Sequence, residues 1–331
     1  MKAPNFEQLA EAARGFQDSR VLLTAIELDL FTAVGEHASA GEAAERAGTD
    51  PRATEMLLNA LVALGALTKT GDQFRNTPAT ARQLCAGSPA NQRTALMHTV
   101  HLWESWSTLT DCVRTGGPRK KSDTGDRGDQ WIAAFIAAMH RYAAERAPLL
   151  VDAVGAAGVR RMLDVGGGSA AFSIAFAQAN PNLRADILDL PPVLAIARGH
   201  IKQAGLAKRI ATKPGDLRVH ALGKRYDLVL ISAICHMLGP EENRDLFRRA
   251  FRALAPGGRV AVRDFLLNPA KTAPRGAALF SLNMLVGTAN GASYSQREYT
   301  AWLREAGFED VSRIRLADPG SQIMLGTRRA R

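Results

Sequence analysis

The chain predicts a doubly wound α/β domain preceded by a mostly helical N-terminal module. Three observations carry this. From Arg160 onward, short apolar runs near 161–165, 184–188, 209–213, 226–232, 258–264, 311–316 and 321–326 have helical patterns between most of them. A triple-glycine turn, Gly166-Gly167-Gly168, follows the first of those runs directly. The first 110 residues instead show apolar residues at helical spacing and one hairpin pattern. The alternating part therefore reads as a Rossmann-like sheet of seven strands. Only Ala317-Asp318-Pro319-Gly320 separates the last two, too short for a parallel crossover, so an antiparallel last strand is expected.

Taken in order, Phe6 to Ala13 and Val21 to Val34 have helical periodicity, and Ala40 to Ala47 forms a short helix ending at Gly48. Asp50-Pro51 supplies an N-cap and a first-turn proline for a helix through Leu64, with Leu57, Leu58, Leu61 and Leu64 as its buried stripe. Leu67-Thr68-Lys69 and Gln73-Phe74-Arg75 flank a Gly71-Asp72 turn and form a hairpin. Helices followed by a hairpin make a winged-helix-like module. Gly116 to Asp129 is the clearest linker, and Trp131 to Val154 is a long helix. Its stripe of Trp131, Phe135, Met139 and Tyr142 is read chiefly as core, with His140 beside it keeping a pocket-lining role open. Domains are placed at 1–155 and 156–331.

At 331 residues and 46% hydrophobic content the chain can bury two cores. No run of 18 apolar residues occurs, so no membrane span is expected. The N-terminus lacks an apolar signal segment, which argues for a cytoplasmic protein. Cys85, Cys112 and Cys235 are odd in number and far apart, which suits a reducing compartment and makes no metal motif. The net charge of +10 raises the possibility of a nucleic-acid partner, but residues 1–110 carry −3 and the rest +13. The helix that would enter a DNA groove offers Arg52, Thr54, Glu55 and Asn59, too little cation to neutralise phosphates. The clusters Arg119-Lys120-Lys121 and Arg328-Arg329-Ala330-Arg331 read as solvated charge. No nucleic-acid partner is expected.

The chemistry centres on Leu163-Asp164-Val165-Gly166-Gly167-Gly168-Ser169. Glycines at a strand-to-helix turn let a ligand approach the backbone closely. Asp164 puts a carboxylate where a helix N-terminus alone would favour an anion, which suits a ligand bearing an amino group. Asp189 ends the next strand, as a ribose-binding acid does. Gly166, Gly168 and Ala171 also satisfy the dinucleotide pattern GxGxxA, so an NAD-dependent oxidoreductase stays open as a distant alternative. Asp164 and Gly215-Asp216 speak against it.

Together with Leu188-Asp189-Leu190-Pro191, Gly215-Asp216, Ile234-Cys235-His236 and Ala255-Pro256-Gly257-Gly258, the glycine turn gives five motifs in order. Most of the chain resembles the class I S-adenosylmethionine-dependent small-molecule O-methyltransferases with an N-terminal dimerisation domain. The resemblance implies that Asp164, Gly166 and Gly168 hold the amino-acid part of S-adenosylmethionine, with Asp189 and Leu190 at the ribose. It places Gly215, Asp216 and Leu217 at the adenine, and Ser232 on the same rim. It implies His236 as general base and Asp264 as the acid that orients it. The family's second acid aligns with Ser293, and Met237-Leu238 replaces its Asp-Trp pair; both are departures.

For the acceptor, Met139, His140, Phe280, Asn283 and Met284 are the chosen lining residues. Met97, His98, His101, Trp103, Phe135 and Asn290 are wider candidates for a cavity between the domains. Apolar walls with few polar groups suit a flat aromatic or polyketide-like molecule. No clustered acidic set marks a metal site, so none is expected. The expected function is methyl transfer to a hydroxyl of a hydrophobic small molecule of secondary metabolism by a homodimer. The 1–155 part would serve as dimerisation and lid domain. Methyl transfer to carbon or nitrogen, or a non-methylating member of the family, is the near alternative.

Overall fold

The computed structural model describes residues 3–118, 128–316 and 321–330. The Arg119-Lys120-Lys121 cluster, most of the Gly116–Asp129 linker and the 317–320 turn lie outside the described residues. Contacts divide the chain into two compact units, Met1–Trp103 and Glu104–Arg331.

In the first unit, helices α1 (Phe6–Arg14), α2 (Phe16–Glu27), α3 (Leu30–Val34), α4 (Ala40–Ala47) and α5 (Pro51–Ala63) precede the hairpin β1 (Leu67–Thr70) and β2 (Gln73–Asn76), followed by α6 (Pro78–Leu84) and the start of α7 (Arg93–Ser107). Capping boxes at Asn5 and Ser39 start α1 and α4, and Asp50 caps α5 ahead of Pro51. Two expectations are corrected. The helix expected over Val21–Val34 is broken at Asp29, whose φ of 55° turns the chain so that Leu30, Phe31 and Val34 all reach the core. On α5 the buried stripe is Thr54, Leu58 and Leu61, while Leu64 lies past the last turn and is 42% exposed.

The second unit contains α8 (Leu109–Thr115), α9 (Asp129–Val154), β3 (Arg161–Val165), α10 (Ala171–Ala179), β4 (Arg184–Asp189), α11 (Pro191–Gln203), β5 (Ile210–Pro214), β6 (Tyr226–Ser232), α12 (Pro240–Ala253), β7 (Leu254–Asp264), α13 (Arg275–Gly287), α14 (Gln296–Glu305), β8 (Glu309–Arg315) and β9 (Gln322–Thr327). Its seven strands run in the order β5-β4-β3-β6-β7-β9-β8. The first five are parallel, and β9 is antiparallel to both β7 and β8. The expected antiparallel last strand is present, inserted between its two predecessors.

On α9 the fully buried positions are Ile132, Ile136, Leu150, Val151 and Val154, with small alanines between. Trp131, Phe135, Met139 and Tyr142, read from sequence chiefly as core, are only half-buried. The flatter aliphatic face packs against α10 and α11, leaving the long aromatic side chains on the flank. One face of the sheet packs on α9, α10 and α11 through Met162, Leu228, Leu230 and Ala261. The other packs on α12 and α14 through Val229, Ile231, Val260 and Val262. Each Val, Leu, Ile or Met among them contributes roughly 1.5–3 kcal/mol by leaving water. Strand order reverses between β3 and β6, so ligands of this fold class sit outside their carboxyl ends.

Candidate functional site

The glycine turn leaves β3 at that switch point. Gly166 donates its N–H to Leu188 O at 2.8 Å, and Gly168 donates to Asp189 Oδ2 at 2.8 Å, tying the turn to the end of β4. Gly166 has φ 68°, and a Cβ there would collide with the Ile234 side chain. At Gly167 a Cβ would stand 2.7 Å from Ile187 Cγ2 and 2.9 Å from Asp164. No larger residue fits either position. At Gly168, φ 56°, an added Cβ would meet nothing within 4 Å, so the turn is open to an approaching ligand there.

Asp164 is fully buried beneath this turn. Its Oδ2 accepts from Ser173 Oγ at 2.7 Å, while its Oδ1 is buried with no partner. Burial pushes the carboxyl up to about 7, the Ser173 bonds resist, and the nearby Asp189 charge adds to the rise. An ammonium is the group this oxygen lacks, so the residues fit the amino-acid end of S-adenosylmethionine.

Asp189 accepts from Gly168 N and, through Oδ1, from Leu190 N at 2.7 Å. Burial raises its pKa against those two donors. Its remaining lone pairs can accept from a diol. Leu190 packs beside Ile132 and Ile136 of α9.

Asp216 follows Gly215 beyond β5, and Leu217 reaches back toward the turn, 3.6 Å from where a Gly166 Cβ would lie. The Asp216 carboxylate already accepts from Arg218 N at 2.8 Å and from the Arg218 guanidinium at 2.9–3.1 Å. Burial would raise its pKa, but Arg218 outweighs it and holds the carboxyl below its usual range. It therefore serves a turn here, with lone pairs left over for a further donor.

Across the cleft, β6 ends at Ser232 and the chain passes through a short 3-10 turn, Cys235–Met237. His236 Nδ1 lies 2.6 Å from Asp264 Oδ1. An ionised carboxylate only accepts, so Nδ1 carries the proton and Nε2 presents a lone pair. Asp264, at the end of β7, also accepts from His236 N at 3.1 Å, Phe265 N at 2.8 Å and Tyr299 Oη at 2.9 Å. Burial works to raise its pKa; His236 and these donors overcome it, and the carboxyl sits below its usual range. The imidazole is 6% exposed and packs edge-on against Phe280, centroids 4.7 Å apart, with Phe265 at 5.9 Å.

The structure thus joins His236, Asp264 and Phe280. Phe265 links them to α9 through Tyr142, 6.3 Å away. His140 belongs instead to the glycine turn: its Nδ1 is 2.9 Å from Ser169 Oγ, and its ring stacks on His200 at 4.0 Å. Met139 is half-buried one residue before it. Asn283 accepts from Trp106 Nε1 at 2.9 Å, and Met284 is buried on α13. Met97 and Trp103 pack against the core of the first unit. Ser293 is buried with its Oγ unpartnered. A cavity of about 440 Å³ is lined by Gly239, Glu241, Leu285 and Asn290 among others. Among the described residues no group of three or more His, Cys, Asp or Glu could hold a metal ion.

Sequence reasoning missed two polar residues. Tyr299 lies on α14, 35 positions from the acid it binds, and nothing local marks it. Arg263 left a signal, a charge directly after the apolar run Val260-Ala261-Val262 of β7, and is 1% exposed.

Residues 106–309 match the O-methyltransferase domain family, and residues 10–85 match the O-methyltransferase dimerisation domain. The chain is 36% identical over 319 residues to 3-hydroxy-5-methyl-1-naphthoate 3-O-methyltransferase of Streptomyces sahachiroi, covering 95% of this chain and 92% of that one. It is 32% identical over 318 residues to the tetracenomycin polyketide synthesis 8-O-methyl transferase TcmO of Streptomyces glaucescens, covering 94% of each. Among solved structures, PigF with SAH superimposes with a TM-score of 0.89 at 28% identity, covering 98% of this chain and 100% of that one.

Proposed function

The chain belongs to the O-methyltransferase family, and from that premise we propose that it methylates a hydroxyl of a flat, hydrophobic aromatic or polyketide-type molecule with His236 as general base. It is an S-adenosylmethionine-dependent O-methyltransferase. The observation that supports the catalytic reading is the His236–Asp264 pair, its carboxylate held by four donors and its imidazole turned so that Nε2 is the free base.

S-adenosylmethionine supplies a methyl group activated by its sulfonium sulfur. Asp164 and the Gly166–Gly168 backbone would seat its amino-acid end, and Asp189 its ribose hydroxyls. Phe280 and Phe265 wall the imidazole with ring edges, which suits an aromatic acceptor lying against them. His236 Nε2 takes the acceptor's hydroxyl proton as that oxygen becomes nucleophilic, and Asp264 stabilises the imidazolium that forms. The chain contributes position and proton removal.

The first unit supports a homodimer. No residue of α1 is buried, and Phe6, Leu9 and Phe16 are more than half exposed, an apolar surface suited to a second copy. No helix among the described residues is long and apolar enough to cross a membrane. Three free thiols fit a cytoplasmic setting.

The test is a panel of hydroxynaphthoates and simpler phenols offered with methyl-labelled S-adenosylmethionine. With the best acceptor, His236→Ala should lose about 10²–10⁴-fold in kcat while calorimetry shows S-adenosylhomocysteine binding unchanged. An undiminished rate would remove the general base and point to an acceptor already nucleophilic.

A further inference from the structure

One buried charge is unused by this mechanism. Among the described residues Arg263 is the largest fully buried side chain, and its Nε and Nη2 find no hydrogen-bond partner there. Nη1 reaches Ser232 Oγ at 3.4 Å, and the Tyr142 phenol and the Asp264 carboxylate both favour the charged guanidinium. The guanidinium carbon lies 5.0 Å from the Tyr142 ring and 5.5 Å from Phe172. Asp264 is adjacent in sequence but projects from the opposite face of the strand and is occupied by its four donors. A guanidinium stays charged at any working pH, so one buried with two nitrogens lacking an acceptor calls for a further anionic partner.

Strand register shows where that anion would come from. Asp164 pairs with Leu230, Leu230 with Ala261, and Ser232 with Arg263. Alternation puts Asp164, Leu230, Ser232, Ala261 and Arg263 on one face, the face that α9 and α10 cover. Strand spacing and rise separate the Asp164 and Arg263 Cα atoms by about 12 Å, a gap much of which an arginine side chain spans. One end of this rim thus holds a carboxylate oxygen without a donor; the other holds two guanidinium nitrogens without an acceptor. The Asp264 charge favours the guanidinium through space, but its oxygens are bonded to His236, Phe265 and Tyr299, and Asp189 accepts from backbone donors, so neither is hydrogen-bonded to Arg263.

We propose that Arg263 receives the α-carboxylate of the amino-acid end of S-adenosylmethionine, opposite the ammonium seated at Asp164. This rests on the cofactor reading above and adds to it the residue that reads the zwitterion. Ser232 then orients the guanidinium rather than meeting the cofactor alone. The aromatic rings of Tyr142 and Phe172 hold the cation in place before the ligand arrives.

The experiment is calorimetry on the full chain with a matched pair, S-adenosylmethionine and its decarboxylated analogue. A charge-assisted, forked contact gives wild type a preference for the carboxylated ligand on the order of 10- to 100-fold. In Arg263→Met that preference disappears, with affinity for the decarboxylated ligand unchanged; Arg263→Lys keeps part of it. A thermal melt of the ligand-free variants confirms folding, and the ratio within one variant is insensitive to any general loss of affinity. An unchanged preference in Arg263→Met overturns the assignment. So does a selective loss of binding to a hydroxynaphthoic acid, which would put the acceptor's carboxylate at Arg263 instead. Wild type that binds neither member of the pair would sink the cofactor reading itself.

Discussion

Replacing Asp164 with asparagine exposes what it costs to build a cation site before the cation arrives. The carboxyl is fully buried, bonded by Ser173 on one oxygen and unpartnered on the other, and its pKa rises from 3.8 to about 7. At about 1.4 kcal/mol per pKa unit, that rise corresponds to about 4 kcal/mol. The native carboxyl binds its proton more tightly than the unfolded chain does. Stability is therefore complete below pH 4, declines as pH climbs toward 7, and levels off above it. Cofactor-free Asp164→Asn should match wild type near pH 4 and exceed it at pH 8 by up to about 4 kcal/mol. Urea unfolding followed by tryptophan fluorescence across that range measures the difference. Adding S-adenosylmethionine narrows the gap at pH 8, since a ligand at a hundred times its Kd stabilises wild type by about 2.7 kcal/mol and the variant much less. Parallel stability profiles for the two proteins from pH 4 to 8 would refute the reasoning.

Asp264→Asn presents an amide to Nδ1, favours the wrong imidazole tautomer and should cut kcat by about 10²–10⁴-fold with cofactor affinity intact. Because the Asp264 carboxyl titrates below its usual range, its contribution to stability is present above pH 4 and lost as pH falls further; the variant should lack that acid limb in a melting profile. Gly166→Ala combines a φ of 68° with a collision against Ile234, and should cost about 1–3 kcal/mol of stability and most S-adenosylhomocysteine binding, read by melting and calorimetry.

What was legible in the sequence is what local chemistry dictates. Seven apolar runs became seven strands, because a period of two or a short apolar run is a property of a few neighbouring residues. The glycine turn was readable because only glycine tolerates the close approach of Ile234 and Ile187. That Asp264 would stand beside His236 was implied by the family resemblance, and the two lie 28 residues apart. Tertiary structure alone decided the rest. The break at Asp29, the flank position of the α9 aromatics and the insertion of β9 between β7 and β8 each depend on which distant surface is available to pack against. Tyr299 meets Asp264, and Arg263 shares a face with Asp164, through pairings that no local window contains. Periodicity specifies which side of an element is apolar; only the assembled sheet specifies which buried charges lack a partner.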